Sequence, residues 1–167
     1  MSATTTLLDD DHAPSSPARS ALRGLLGATL VFAGTSHLTN QREAFRAQVP
    51  AWVPLDEDLV VLLSGAVEIA LGLALLATLL PRFAHHRVAV GLVVAAFFVA
   101  IFPGNVGQLV EHQDAFGLDT DAKRAVRLLF QPLLVAWALW STGALPPLLR
   151  AVRERRASAP TGGAPDR

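Results

Sequence analysis

One carboxylate, Glu68, lies near the middle of a long hydrophobic segment that runs from Leu59 to Pro81. A segment of about 20 apolar residues crosses a lipid bilayer as a helix. An acid at the centre of such a helix is costly to bury and usually belongs to a proton, ion or substrate pathway. Ser64 precedes Glu68 by four residues and would share its helix face. Glu68 is therefore the candidate catalytic residue, in the role of a proton relay.

The other hydrophobic segments carry polar residues near one particular end, and these residues are candidates for a ligand-binding site. The first segment ends at His37, the third passes through Asn105, and the fourth begins near Arg127. Gln131 lies one helical turn after Arg127 on the same face. If neighbouring segments run antiparallel, these residues share one half of the membrane with Glu68. The predicted ligand-binding residues are His37, Glu68, Asn105, Arg127 and Gln131.

Each of these residues also has a purely structural interpretation. Glu68 would make a hydrogen bond inside the helix bundle, and Arg127 would extend its side chain to the lipid headgroups. The histidine, asparagine and glutamine side chains would cap helices or join them by hydrogen bonds. The residue types alone leave both interpretations open.

Two prolines, Pro103 and Pro132, lie inside the third and fourth segments beside the polar residues. A proline cannot donate to the carbonyl group four residues before it, so Val99 and Leu128 are expected to keep free carbonyl oxygens. In a membrane each free carbonyl needs another donor, which a side chain, a water molecule or a ligand can supply.

Four segments are long and apolar enough to cross a bilayer, and they lack the period-two alternation of barrel strands. We predict an all-α membrane protein, a four-transmembrane-helix up-down antiparallel bundle that occupies residues 18–150. The tails, residues 1–17 and the basic 151–167, are predicted to be disordered. The predicted helices are about 22–39, 58–80, 87–104 and 124–145.

The basic residues indicate how the helices are oriented. Arg19 and Arg23 lie at the first segment, Arg82 and Arg87 lie between the second and third, and four arginines lie between residues 150 and 156, whereas the other two loops hold eight acids. Cytoplasmic segments of membrane proteins carry the excess of basic residues. Both termini are therefore predicted to be cytoplasmic, in a multi-pass protein of the plasma membrane.

The composition excludes several functional classes. The chain has 167 residues, of which 51% are hydrophobic and 17% charged, and its mean hydropathy is +0.40. Without cysteine it has no thiolate nucleophile and no cysteine-ligated cluster. A formal net charge of zero argues against nucleic acid as a partner. Neither facing histidines for a haem nor a firm metal-ligand spacing is present, so no haem or metal is predicted.

In the same segments the chain resembles the DoxX family of small four-helix membrane proteins, which are related to the MauE and DoxD proteins. The resemblance covers roughly residues 23–143. It implies a quinone cofactor and a role as a quinone-interacting or accessory subunit of a membrane oxidoreductase complex. The implied partners are the lipid bilayer and an oxidoreductase subunit. The matching segments are Val31–His37, Val49–Pro50, Ser64–Gly72, Ile101–Asn105 and Arg127–Gln131.

Three functions remain open at this point. In a quinone-interacting subunit, His37, Arg127 and Gln131 would donate to the quinone carbonyls. Glu68 would relay protons. In a non-catalytic assembly or scaffold subunit, the polar residues would serve helix association alone. A small proton-coupled transporter would bind its substrate near Glu68 and act as a homodimer. No nucleophile–base pair is apparent, so an accessory subunit is favoured over an autonomous enzyme.

Overall fold

The computed structural model describes residues 15–50 and 52–157. All regular structure in these residues is helical, without strands, which confirms the predicted all-α class. The tail residues 1–14 and 158–167, predicted to be disordered, lie outside the described residues. The helices are α1 (Pro17–Leu38), α2 (Arg42–Arg46), α3 (Glu57–Ala77), α4 (Arg87–Val110), α5 (Asp121–Thr142) and α6 (Leu145–Ala157), with a 3₁₀ turn at Pro81–His86 between α3 and α4.

Side-chain caps explain where three of the long helices begin. Ser16, Asp56 and Thr120 precede α1, α3 and α5, and each accepts a hydrogen bond from the backbone N–H three residues later. Each cap satisfies one of the amides that the first turn of a helix leaves unpaired. At its other end α5 stops at Gly143, which adopts the left-handed conformation with φ of 77°. Glycine does so without the steric cost that a side chain would bring.

Two helices are longer than the sequence predicted. The third long helix, α4, runs to Val110 instead of ending near residue 104, because Pro103 is accommodated within it. The last helix, α6, continues to Ala157, so the prediction of a disordered tail is wrong for residues 151–157. Arginine and glutamate are good helix formers, and they dominate this part of the chain.

Three helical segments of the described part are long and apolar enough to cross a membrane. They are α3, the 3₁₀ turn together with α4 (Pro81–Val110), and α5. Helix α1, predicted to be the first span, is not among them, since Arg19, Arg23 and His37 reduce its apolar character. Large side chains nevertheless face outward on several helices, with Phe32 75% and Leu129 66% exposed. Such outward apolar surface fits contact with lipid.

The helices pack as two close pairs, α1 with α3 and α4 with α5. Glycines bring the first pair together, because a Cβ atom added to Gly34 would lie 2.5 Å from the carbonyl oxygen of Gly65. One added to Gly72 would lie 2.6 Å from the carbonyl oxygen of Gly27. Helix α1 also contacts α5, whereas α3 and α4 touch little although they follow each other in the chain. The buried apolar core is formed by Leu26, Leu30, Leu75, Val88, Val94, Ala95, Phe98, Ala138, Leu139 and Ala144.

Candidate functional site

A cavity of about 500 Å³ lies between the two helix pairs. Its volume falls in the range of roughly 300–1,000 Å³ that is typical of small-molecule sites. Helices α1, α3, α4 and α5 all contribute to its lining, and so does the segment between α2 and α3. The structure therefore brings together the polar residues that the sequence placed on separate helices. The predicted ligand-binding residues that line the cavity are His37, Glu68, Asn105, Arg127 and Gln131.

Most of the remaining lining is apolar. Leu26, Leu30 and Leu134 line the part of the cavity away from the loops, and Pro50 and Trp52 cover the part next to them. Trp52 is 69% exposed, so one side of its ring faces outward. An apolar sleeve with a few polar groups suits an amphipathic or largely apolar ligand.

One wall of the cavity is formed by His37 of α1 together with Ser64 and Glu68 of α3. Nδ1 of His37 lies 3.1 Å from Oγ of Ser64, and Nε2 lies 3.5 Å from Oε2 of Glu68. Glu68 is buried, with 7% exposed, and its Oε2 has no hydrogen-bond partner in the described part of the chain. Buried polar atoms nearly always have a partner, so this oxygen marks a place for a water molecule or a ligand.

The hydrogen bonds of Ser64 determine which nitrogen of His37 carries a proton. Ser64 donates to the carbonyl oxygen of Val61 at 3.0 Å, so its Oγ accepts from Nδ1 of His37. A neutral His37 then presents an unprotonated Nε2 toward Glu68. At 3.5 Å the two groups are close enough for a proton to move between them, from a neutral acid beside a bare nitrogen to an imidazolium beside a carboxylate. Such a pair can pass a proton to a ligand.

The opposite wall contains two buried amides. Nδ2 of Asn105 donates to Oε1 of Gln131 at 3.0 Å, and Nε2 of Gln131 donates to the carbonyl oxygen of Phe98. Gln131 of α5 therefore donates to the carbonyl oxygen of Phe98. The position of Pro103 had led us to expect the free carbonyl oxygen at Val99, one residue later. A proline bends its helix over more than one residue, so the carbonyl groups of the preceding turn are opened together.

Arg127 lies at the end of the cavity near the loops. Its Nη2 donates to Oε1 of Gln48 at 3.2 Å, and Nε2 of Gln48 in turn donates to Oε1 of Gln108 at 2.8 Å. The guanidinium group also lies 5.1 Å from the centre of the Phe116 ring. None of the ion pairs among the described residues includes Arg127. Its positive charge is therefore balanced inside the protein only by amide oxygen and aromatic surface.

A row of rings covers the same end of the cavity. The centres of the His37 and Phe45 rings are 3.4 Å apart, and those of Phe45 and Phe116 are 4.7 Å apart. Phe116 has φ of 56°, in the left-handed region that bulky residues rarely adopt. The loop before α5 thus holds this ring over the cavity against a backbone preference.

Arg124, buried in the first turns of α5, fixes the loop that carries Phe116. Its guanidinium group donates to Asp121 at 2.6 Å, to the carboxylate of Asp114, and to the carbonyl oxygen of Gln113 at 3.1 Å. The described residues include no group of three His, Cys, Asp or Glu side chains arranged to hold a metal ion.

The sequence did not indicate three side chains at the site: Phe45 of α2 and Gln48 line the cavity, and Phe116 contacts Phe45 and the guanidinium group of Arg127. Loop residues follow no helical periodicity, so no pattern indicates that they point inward. One signal was present, because Phe116 is followed by Gly117, which has φ of 71°. Glycine at such a position marks a tight turn, and a tight turn can direct its neighbour back toward the helices.

The model of a family described as "Domain of unknown function (DUF8561)" matches residues 26–142, well over half of the chain. The chain belongs to this family. The matched range includes every cavity residue named above. No curated protein and no solved structure matches the chain.

The resemblance to the DoxX family is wrong, because the family that matches is a different one. The segments on which it rested combine glycine and alanine with single polar residues. Closely packed membrane helices share that pattern whatever their ancestry. The quinone-linked role loses the support of the resemblance, and any function must be argued from the cavity itself.

Proposed function

We propose that the protein binds the head group of a quinone in this cavity and serves as an accessory subunit of a membrane oxidoreductase complex. The observation that carries the proposal is the buried, unpartnered Oε2 of Glu68 beside His37 in the cavity wall. A carbonyl oxygen of a ligand can accept the hydrogen bond that a protonated Glu68 has to give.

The proposal includes a topology in which α1, α3, α4 and α5 cross the plasma membrane and both termini are cytoplasmic. Support for α1 comes from its glycine contacts with α3, because two helices packed so closely share one position in the bilayer. Arg19 and Arg23 begin α1, while the acids Glu57 and Asp58 begin α3 at the opposite end. That distribution agrees with the excess of basic residues on the cytoplasmic side.

The two polar walls suit a ligand with a carbonyl group on each side of a ring. Glu68 and His37 lie on one side, and Asn105 and Arg127 lie on the other. The apolar lining accommodates the ring, and an isoprenoid tail would leave between α3 and α4, which touch little. The polar groups therefore orient the head group while the helices accept the tail.

A bound quinone supplies two-electron, two-proton chemistry, and the proposal assigns the electrons to a partner oxidoreductase subunit. His37 and Glu68 hold the proton that the nearer quinone oxygen takes up on reduction. Arg127 stabilises negative charge on the farther oxygen, since no carboxylate of the described residues neutralises it.

Titration of the purified protein with decylubiquinone tests the proposal, because Trp52 lines the cavity and a bound quinone quenches tryptophan fluorescence on contact. We expect saturable quenching that Trp52→Phe largely removes. Glu68→Leu and Arg127→Gln should each weaken binding about tenfold, or ~1.4 kcal/mol, the scale of a lost hydrogen bond to a charged group. Glu68→Gln should keep much of the affinity, since an amide still donates, and lose proton transfer.

Glu154→Leu and Arg82→Gln are the matched controls, since both change exposed residues outside the cavity. They should bind decylubiquinone as the unaltered protein does. Unchanged affinity in both Glu68→Leu and Arg127→Gln would remove these residues from the site, and unsaturable quenching would mean that the cavity takes no quinone.

A scaffold subunit without a ligand is the second candidate. It is favoured by the partners that the other polar side chains find inside the protein, such as Ser64 for His37 and Gln131 for Asn105. In a scaffold Glu68→Leu would raise the melting temperature, because a leucine removes an unpartnered polar group from the interior. It would also leave the partner complex assembled. In a quinone subunit the same substitution abolishes ligand binding.

A further inference from the structure

Arg23 is a buried charge at the end of the bundle that holds the start of α1 and the end of α3. It is 3% exposed, and its Nη2 lies 3.5 Å from the carbonyl oxygen of Thr78, a long hydrogen bond. Its Nε and Nη1 are fully buried and have no hydrogen-bond partner among residues 15–50 and 52–157. Two unpartnered nitrogen atoms of one guanidinium group are costly in the interior of a protein.

The charged neighbours of Arg23 increase this cost. Arg87, at the start of α4, is 8% exposed and close enough to Arg23 to repel its charge. Arg19 lies one turn before Arg23 on α1, with its guanidinium group 5.5 Å from the ring centre of Trp140. A Cβ atom added to Gly143 would lie 3.9 Å from Nη1 of Arg19 and 4.0 Å from Nε of Arg87. The guanidinium groups of Arg19, from α1, and Arg87, from α4, therefore meet beside Gly143 at the end of α5.

No carboxylate of the described residues forms an ion pair with Arg23. Glu68, on the same helix as the Thr78 carbonyl group, is ten residues and about 15 Å away along the helix axis. The ends of α3 and α5 supply carbonyl oxygens, but each helix end is equivalent to only about half a negative charge. Arg23 itself is therefore left without a full counter-charge among the described residues.

We propose that Arg19, Arg23 and Arg87 form a binding site for a phosphate group, carried either by an anionic lipid headgroup or by free phosphate. A guanidinium group matches two phosphate oxygens with two parallel hydrogen bonds, and the unpartnered nitrogens of Arg23 supply such donors. A bound phosphate would convert the repulsion among the arginines into attraction. The site lies at the opposite end of the bundle from the cavity lining at His37 and Arg127, so it stands independently of the quinone proposal.

The thermal stability of the full chain tests this site in nanodiscs of two compositions, phosphatidylcholine alone or with dioleoyl phosphatidylglycerol. A ligand that binds only the folded state raises the melting temperature. We expect the anionic lipid to raise the melting temperature of the unaltered protein by several degrees and that of Arg23→Gln by much less. In phosphatidylcholine alone Arg23→Gln should be at least as stable as the unaltered protein, because it removes a buried, unbalanced charge. The unaltered protein should thus have the higher melting temperature only when the anionic lipid is present. A purely structural arginine would instead make Arg23→Gln the less stable protein in both lipid compositions.

Arg82→Gln is the matched control, since it removes an exposed charge beside Phe83 on the same side of the protein. It should respond to the anionic lipid as the unaltered protein does. An equal loss of response in Arg82→Gln and Arg23→Gln would overturn the proposal in favour of diffuse attraction to an anionic surface.

Native mass spectrometry of the unaltered protein gives a second readout that does not depend on any variant folding. Retained phosphatidylglycerol, displaced little by inorganic phosphate, would identify a lipid headgroup as the source of the phosphate. Stabilisation by millimolar inorganic phosphate in a zwitterionic detergent, absent with chloride, would identify free phosphate. If neither is retained and neither raises the melting temperature, the site does not exist. In the same native mass spectrometry experiment, Arg87→Gln should bind phosphatidylglycerol at least tenfold more weakly than the unaltered protein.

Discussion

Nε2 of His37 lies 3.5 Å from Oε2 of Glu68, across the contact between α1 and α3. The two side chains meet there because Gly65 has no side chain of its own. A Cβ atom added to Gly65 would lie 2.7 Å from Cβ of His37. The approach of His37 to Glu68 therefore depends on a glycine whose type alone suggests only helix packing. The close contact between α1 and α3 sets the geometry of the site.

Gly34→Ala should destabilise the protein. The added methyl group would meet the backbone carbonyl oxygen of Gly65 at 2.5 Å, and backbone cannot rotate away as a side chain can. Overpacking of this kind costs about 1–3 kcal/mol. A lower melting temperature in detergent is the expected measurement. Gly24→Ala is the control, since its methyl group meets only the flexible end of Leu79 at 3.3 Å and should change stability little.

Ser64→Ala should release the tautomer of His37. The hydroxyl group of Ser64 accepts from Nδ1, so its removal leaves the backbone carbonyl of Val61 as the remaining acceptor for His37 and should shift the ring toward protonation on Nε2, which faces Glu68. Nitrogen-15 NMR of the imidazole should show the Nδ1–H tautomer in the unaltered protein and a shift toward Nε2–H in the variant. Ser36→Ala, whose hydroxyl group donates only to the carbonyl oxygen of Phe32, should leave the His37 signals in place. An unchanged tautomer in Ser64→Ala would contradict the assigned proton position.

Arg124→Ala should loosen the loop that holds Phe116 over the cavity. The substitution removes the hydrogen bonds to Asp114, Asp121 and the carbonyl group of Gln113. Both acids are largely exposed, so the cost in stability is about 1–2 kcal/mol, below that of a fully buried pair. Hydrogen exchange of residues 113–120 should become faster while that of α3 stays unchanged. Lys123→Ala, which loses only exposed contacts with Asp119 and with the carbonyl oxygen of Gly117, should have a smaller effect.

Asp119 should titrate below the usual range of an aspartate. Lys123 donates to its carboxylate at 2.7 Å, and this hydrogen bond, reinforced by the lysine charge, lowers the pKa of Asp119. A pKa lowered by folding means that the contact stabilises the folded state above the unfolded pKa. That contribution is lost as the pH falls through the folded pKa. Carbon-13 NMR of the carboxyl group should show the lowered pKa, and Lys123→Ala should raise it. Molar salt should also raise it, because the pair is exposed.

The fold class predicted from the sequence is confirmed, whereas the family resemblance is wrong. Long apolar segments predicted helices, and the described residues are all-α, with three helical segments long and apolar enough to span a membrane. The resemblance to DoxX failed because small residues around single polar ones reflect helix packing rather than descent. The predicted end of α4, near residue 104, lies six residues before its end at Val110. Nothing in the sequence indicated that Gln131 would supply a donor to the preceding turn.

The sequence by itself determined which residue types each helix carries and near which end they lie, because helix rise and the length of an apolar segment fix depth. It therefore predicted Glu68, His37, Asn105 and Arg127 as candidates. Only the tertiary structure decided that they line one cavity, since the rotation of a helix depends on contacts such as that of Gly34 with Gly65. The same holds for Gln48, which lines the cavity from the segment after α2, and for Phe116, which packs on Phe45 from the loop before α5. A loop has no periodicity that reports its direction, so its inward side chains are set by packing against the rest of the chain.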